Sequence, residues 1–245
     1  MRIAVLSDVH ANLAALEAVL EATVDHDARW CLGDIVGYGP HPNECVARVR
    51  ATCERVLAGN HDLAACGRAD ASAFTRDAGR ALRWTREVLS PSSEAYLASL
   101  EPSAVAGRIG LYHGSPRDPV WEYVLEPEAA RAAIEGTTHD VVLVGHTHTA
   151  LVARVDHQGR LTGRRAAAGL AIDLMGPRTL LNPGSVGQPR DADPRAAYLE
   201  LELDPDGVPL VARFERAAYD IGATQAAILA AGLPEHLADR LGFGI

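Results

Sequence analysis

Residues 1–10 read MRIAVLSDVH. Ile3 to Leu6 is a short apolar run containing two β-branched residues, and the polar pair Ser7-Asp8 cuts it off. That is the pattern of a strand buried on both faces. Leu13, Leu16, Leu20 and Val24 then recur at helical spacing, so a helix follows after a short turn. The unit repeats. Arg29 to Leu32 reads as a second strand stopped by Gly33, Pro40 and Pro42 break the next loop, and a helix runs from about Asn43 to Thr52. Arg55 to Ala58 is a third strand, stopped by Gly59. Strand–helix–strand–helix–strand alternation predicts a parallel sheet in this half.

Further along, residues 72 to 100 read as largely helical with a break at Ser90-Pro91. Ala104 to Tyr112 predicts one strand, Glu128 to Glu135 a helix and Val141 to Val144 a buried strand. Alternating runs at Leu151 to Val155, Thr179 to Leu181, Ala197 to Leu203 and Val208 to Glu215 make the second half strand-rich, with a helical tail from about Ala223. Two sheets face to face with helices outside accommodate this pattern. No stretch reads as a linker, so the expectation is one domain over residues 1–245, with a helical segment at about 68–101 and a helical tail at about 221–245.

Apolar residues make up 48% of the chain, enough for a full core, and 22% charged residues exclude a disordered or fibrous protein. The formal net charge is -9 and Lys and Arg form no stripe, which disfavours long nucleic acid as a partner. An anionic small molecule stays compatible, because bound divalent cations reverse the local sign. Cys31, Cys45, Cys53 and Cys66 contain no CxxC pair and read as small hydrophobes in a reducing compartment. No apolar run reaches membrane-spanning length and no small-residue cleavage site follows the N-terminus, so the expected location is cytoplasmic, away from any membrane.

The chemistry sits where the strands end. Ser7-Asp8-Val9-His10, Gly33-Asp34, Gly59-Asn60-His61-Asp62, His113-Gly114 and Gly145-His146-Thr147-His148 each follow a strand directly. In open α/β sheets ligands bind beyond the carboxyl ends of the strands. The two-residue spacing of Asp8 and His10, and of His146 and His148, puts each pair on one side of an extended segment. Any one of these histidines is more often structural than functional. Five of ten at strand ends beside Gly, Asp or Asn is another matter, and oxygen and imidazole donors without thiolates suit Mn, Fe, Zn or similar divalent ions.

In this order DVH, GDIVG, GNHD, HGS and GHTH resemble the calcineurin-like metallophosphoesterase superfamily over residues 7 to 148, and NPGS at 182–185 with PR at 189–190 resembles its small bacterial phosphodiesterase branch. The resemblance implies an α/β fold of two mixed sheets packed as a sandwich and flanked by helices, in four layers α/β/β/α. It implies two divalent metal ions per chain, one held by Asp8, His10 and His148, the other by Asn60, His113 and His146, with Asp34 bridging. It implies a phosphoesterase in which water activated between the ions attacks phosphorus, with His61 as the general acid beside the catalytic Asp34. The expected partner is a small phosphorylated substrate, a phosphodiester or nucleotide phosphate. A phosphomonoesterase, a dinucleoside-polyphosphate hydrolase or a non-catalytic protein-binding scaffold on the same fold are the alternatives, and a homo-oligomer is left open.

The second motif departs from the protein-phosphatase branch, whose GDxVDRG carries an acid and a phosphate-gripping Arg where this chain has Gly37 and Tyr38. That argues against a protein phosphatase. Asn60, Tyr38, Arg117 and Arg190 are the candidates for holding substrate, with His41, Asp118, Trp121 and Tyr123 on the surrounding loops. Asn12 is expected to cap the first helix or tie its loop, and Asp62 to act as a helix N-terminal acid.

Overall fold

The computed structural model describes all 245 residues. Strand β1 (Arg2–Leu6), helix α1 (Leu13–Ala22), β2 (Ala28–Cys31), α2 (Pro42–Thr52) and β3 (Arg55–Val56) realise the alternation read from the sequence. β1, β2 and β3 are parallel neighbours, as expected. A short helix α3 (Asn60–Ala65) follows, then α4 (Arg76–Val88) and α5 (Pro91–Ala98) on either side of the predicted break.

The predicted strand from Ala104 to Tyr112 is in fact a hairpin, β4 (Ser103–Ala106) and β5 (Ile109–Tyr112). Gly107 takes a φ of +57°, which lets the two-residue loop reverse the chain. After α6 (Pro127–Glu135) and β6 (Val141–Leu143) come β7 (Leu151–Val155), β8 (Leu161–Arg165), β9 (Ala171–Asp173), β10 (Arg178–Asn182), β11 (Ala196–Leu203) and β12 (Pro209–Ala217). α7 (Ile221–Ala230), α8 (Glu235–Asp239) and a 3₁₀ turn (Arg240–Gly242) end the chain.

Twelve strands form two mixed sheets of six, in the orders β3-β2-β1-β11-β12-β9 and β4-β5-β6-β10-β7-β8. The layers follow from which faces are apolar. Ile3, Val5, Leu32, Leu199, Leu201 and Phe214 of the first sheet meet Ile109, Leu111, Val141, Leu143 and Leu181 of the second in the central core. Ala4, Leu6 and Cys31 turn the other way, toward Leu16 and Val19 of α1 and Val46 and Val49 of α2. Val142, Val144 and Leu180 face Ala130, Ala133 and Ile134 of α6 on the far side. The result is the expected four-layer sandwich. Phe214 is 2% exposed at the heart of the central core, and truncating it to Ala costs about 3–5 kcal/mol. The arrangement brings the carboxyl ends of β1, β2 and β3 beside those of β5 and β6, along one seam between the sheets. No helix is long and apolar enough to cross a membrane.

Candidate metal centre

The loops at that seam are held together by main-chain hydrogen bonds running past the strands. The amides of Asp8, His10 and Ala11 donate to the carbonyls of Gly33, Asp34 and Ile35 at 2.8–3.0 Å. Gly145 N donates to His113 O at 2.8 Å, and Val186 N and Gly187 N donate to the carbonyls of Ser7 and Asp8 at 2.9 Å. Asn12 caps α1, accepting from Ala15 N, while its amide donates to Gly187 O, so it does both things expected of it.

Into this seam the first sheet sends Asp8, His10, Asp34 and Asn60, and the second sends His113, His146 and His148. All seven are buried. Donor atoms of Asp8, His10, Asp34 and His148 lie within 4.8 Å of one another, as do those of Asp34, His113 and His146. One carboxylate oxygen serves both sets. Asp34 Oδ2 is 3.6 Å from His10 Nε2 and 3.5 Å from His113 Nε2. Asn60 joins the second set through Oδ1, 3.1 Å from His113 Nε2.

The imidazoles are oriented from behind. The Nδ1 atoms of His10, His113 and His148 contact the carbonyls of Val36, Leu32 and Gln188 at 3.1, 2.9 and 2.7 Å. With Nδ1 as the donor, each Nε2 lone pair is left aimed into the site, the arrangement metal-ligating histidines use. The inward atoms then lack partners. His10 Nε2 and His148 Nε2 face each other at 3.0 Å, and Asp8 Oδ1 and His146 Nε2 are buried with no hydrogen bond. Buried polar groups are normally satisfied, and leaving several unsatisfied in one spot is costly. A divalent cation satisfies acceptors of this kind together, so the donor set fits metal binding.

Electrostatics point the same way. Burial raises Asp8 to about 7. It raises Asp34 well above the usual carboxylate range, with the Asp62 charge adding to it. Burial lowers His10 and His148 well below the ordinary imidazole value and takes His146 to about 2. The imidazoles are therefore neutral ligands at any working pH, while the carboxylates gain from a nearby positive charge.

His61 lies beside the cluster, with ring centres 4.9 Å from His10, 4.5 Å from Tyr38 and 4.6 Å from Phe74. Its backbone amide donates to Asp34 Oδ1 at 2.8 Å, and its Nδ1 is buried without a partner. Burial, then Arg190 and His113, keep its pKa well below the ordinary value. Asp62 does not hold the ring. Its carboxylate accepts from the amides of Gly59, Ile35 and Val36 at 3.0–3.2 Å, a structural clasp between two loops. Gly37 packs on the His61 ring at a φ of +90°, where a Cβ would run into it.

Of the substrate candidates, Tyr38 sits 4.6 Å from His10, and the Arg190 guanidinium lies 5.9 Å from the Tyr38 ring centre. Tyr123 stacks on His146 at 4.0 Å, and Trp121 meets Phe74 at 5.7 Å. Arg117 is placed differently. It is half exposed and ion-paired with Glu122, which also accepts from Ser115. His41 precedes α2 as its N-cap residue. Two residues at the site carry no motif signal of their own. Gln188, inside the stretch from Asn182 to Arg190, orients His148 through its carbonyl and Arg190 through its side chain at 2.9 Å. Phe74 belongs to the connection before α4, far from any motif.

Comparison with known proteins agrees with this geometry. A family model described as the calcineurin-like phosphoesterase superfamily domain matches residues 1–204. An uncharacterized protein of Methanocaldococcus jannaschii is 34% identical over 249 residues, covering 99% of this chain and 98% of that one. A metallophosphoesterase of Sphaerobacter thermophilus superposes with a TM-score of 0.89 at 42% identity, over 100% of this chain and 99% of that one. A hypothetical protein of Pyrococcus horikoshii shares the fold, with a TM-score of 0.77 at 22% identity over 100% and 98% of the two chains. The chain belongs to the calcineurin-like phosphoesterase superfamily.

Proposed function

We propose that this protein hydrolyses small phosphodiesters or nucleotide phosphates with two divalent metal ions. The observation that carries the reading is the shared Asp34 oxygen, 3.6 Å from His10 Nε2 of one donor set and 3.5 Å from His113 Nε2 of the other. In this reading Asp8, His10, Asp34 and His148 hold one ion, and Asp34, Asn60, His113 and His146 hold the other. Such ions supply Lewis-acid polarisation of a phosphoryl group and acidify water near neutral pH.

The chain's own residues do the rest. Asp34 ties the two donor sets together and fixes the His61 amide. His61 stands beside the place of the departing alkoxide, and an anionic phosphoester bound there offsets the burial and the neighbouring cations that lower its pKa, so that in the complex the ring can carry the proton it supplies. Arg190 and the Asn60 carboxamide hold phosphoryl oxygens by charge-assisted and neutral hydrogen bonds. Tyr38 occupies the place of the phosphatase arginine. A diester carries one negative charge and a second substituent, so it needs less cationic grip and more room than a monoester. The ledge of Tyr123, half exposed and stacked on His146, offers a face for an aromatic substituent.

The deciding experiment is a phosphoester panel on protein reconstituted with Mn²⁺, covering cyclic nucleotides, dinucleotides, monoesters and phosphoproteins. A higher kcat/KM for a diester than for its matching monoester is expected. A strong monoester preference overturns the diester reading, and no turnover of any phosphoester overturns the hydrolase.

A further inference from the structure

The loop after β10 grips the first donor set from behind. Ser185 donates its hydroxyl to the Asp8 carbonyl at 2.7 Å, and the Gly187 amide donates to the same oxygen at 2.9 Å. The Gln188 carbonyl accepts from His148 Nδ1 at 2.7 Å, and the Arg190 amide donates back to the His148 carbonyl at 3.0 Å. One residue on, the Asp191 carboxylate accepts from the Ala150 amide at 3.1 Å. Residues 188–191 are thus zipped to residues 148–150, and the last rung is made by a side chain.

That side chain is itself held from the other sheet. Arg216 of β12 pairs through Nη2 with Asp191 Oδ2, the oxygen that also takes the Ala150 amide, and the two side chains are only 4% and 6% exposed. Its Nη1 donates to the carbonyls of Asp193 and Arg195 at 3.1 Å each. A buried ion pair is a poor source of stability, because desolvating two charges offsets most of their attraction. Its value here is geometric. His148 keeps a φ of +58°, a backbone that a residue other than glycine holds only when its surroundings impose it. Arg190 has one side-chain hydrogen bond, from Nη2 to Gln188 Oε1, so its reach depends on where its backbone is fixed.

We propose that Arg216 and Asp191 are positioning residues for the site: the pair sets where His148 presents Nε2 and where Arg190 meets the substrate phosphate. The proposal deepens the phosphoester reading and rests on it. Neither residue touches the reacting atoms. Both act through the backbone, Asp191 on its neighbour Arg190 and, by way of Ala150, on His148. The matched family domain stops at residue 204, so Arg216 supplies this support from a strand outside it.

The test is Arg216→Gln, read by calorimetric titration of Mn²⁺ into chelator-stripped protein and by kinetics on a nitrophenyl diester at saturating Mn²⁺. The binding step that His148→Ala removes should weaken about tenfold, the scale of losing a group that supports a metal ligand, while the other step stays as in wild type. KM should rise by about tenfold with kcat falling less, because the grip of Arg190 serves ground state and transition state alike. Arg216→Lys, which keeps a charge for Asp191, should recover most of both. Ile134→Ala, a cavity under α6 on the far side, lowers stability and should move neither. If Arg216→Gln does not fold, the double variant Asp191→Asn with Arg216→Gln leaves no unpaired buried charge and should give the same pattern. A folded variant in which the His148 step or KM is unchanged, or in which both Mn²⁺ steps weaken alike, overturns the proposal. If wild type turns over no phosphoester the hydrolase reading fails, and the Mn²⁺ titration alone decides the positioning role.

Discussion

Eight residues other than glycine adopt a positive φ, and five of them are Asp8, His10, Asp34, His146 and His148, with Tyr38 a sixth. Each such backbone costs about 1–3 kcal/mol and persists only where its surroundings over-determine it. Here the loop-to-loop hydrogen bonds do so, and the kinks turn side chains inward that an extended chain would point elsewhere. The identities of the seven donors are legible in the sequence. Their left-handed backbone is not, because it is imposed by loops distant in sequence, such as Gly33 to Ile35 acting on Asp8 to Ala11. Asp34→Asn should weaken both donor sets together, so metal analysis is expected to show loss from both and hydrolysis to vanish; wild-type activity would remove its shared role. His61→Ala should keep bound metal but lose roughly 10²–10⁴-fold in rate on esters with poor leaving groups. On a nitrophenyl ester, which departs without a proton, the loss should shrink. An equal loss on both ester types assigns His61 to positioning instead. Gly37→Ala, which drives a Cβ into the His61 ring, should reproduce this leaving-group dependence with the fold intact by circular dichroism.

The elements are unevenly legible in the sequence, and burial explains the difference. β1, β2, α1 and α2 announce themselves because each buries an apolar stripe. β8, with the sequence LTGRR, forms an exposed sheet edge, so nothing in it demands apolar alternation and the sequence gives no sign of it. β9 is three residues with only Ile172 buried. α3 is the opposite case, buried throughout yet only six residues long, and its N-terminal turn is held by Asp62. Because Asp62 clasps three buried amides from two loops, Asp62→Ala should cost about 3 kcal/mol or more in denaturant unfolding. Asp62→Asn, which keeps an acceptor, should cost less. If both variants unfold like wild type but lose activity, Asp62 acts on catalysis and not on the clasp.

At the scale of the molecule, the donors divide between the sheets, four from the first and three from the second. No local pattern reveals that division, since it depends on which strand ends the sandwich brings side by side. The pH dependence of metal binding follows from the same burial. Asp8, raised to about 7, holds a proton below that pH which a cation must displace, whereas the lowered imidazoles compete little. In metal-free protein the raised Asp8 contributes stability that is present at low pH and lost as pH rises through about 7; the lowered histidines act oppositely, and only below 6.5. The rise in Tm on adding Mn²⁺ should therefore be larger at pH 8 than at pH 6. A flat or reversed dependence in thermal scans counts against the carboxylate donors. With donors mounted on two separate sheets, the sandwich behaves as a caliper whose opening is set by core thickness. Enlarging Ala212, fully buried in the central core, would spread the jaws and loosen the grip on metal without touching a ligand.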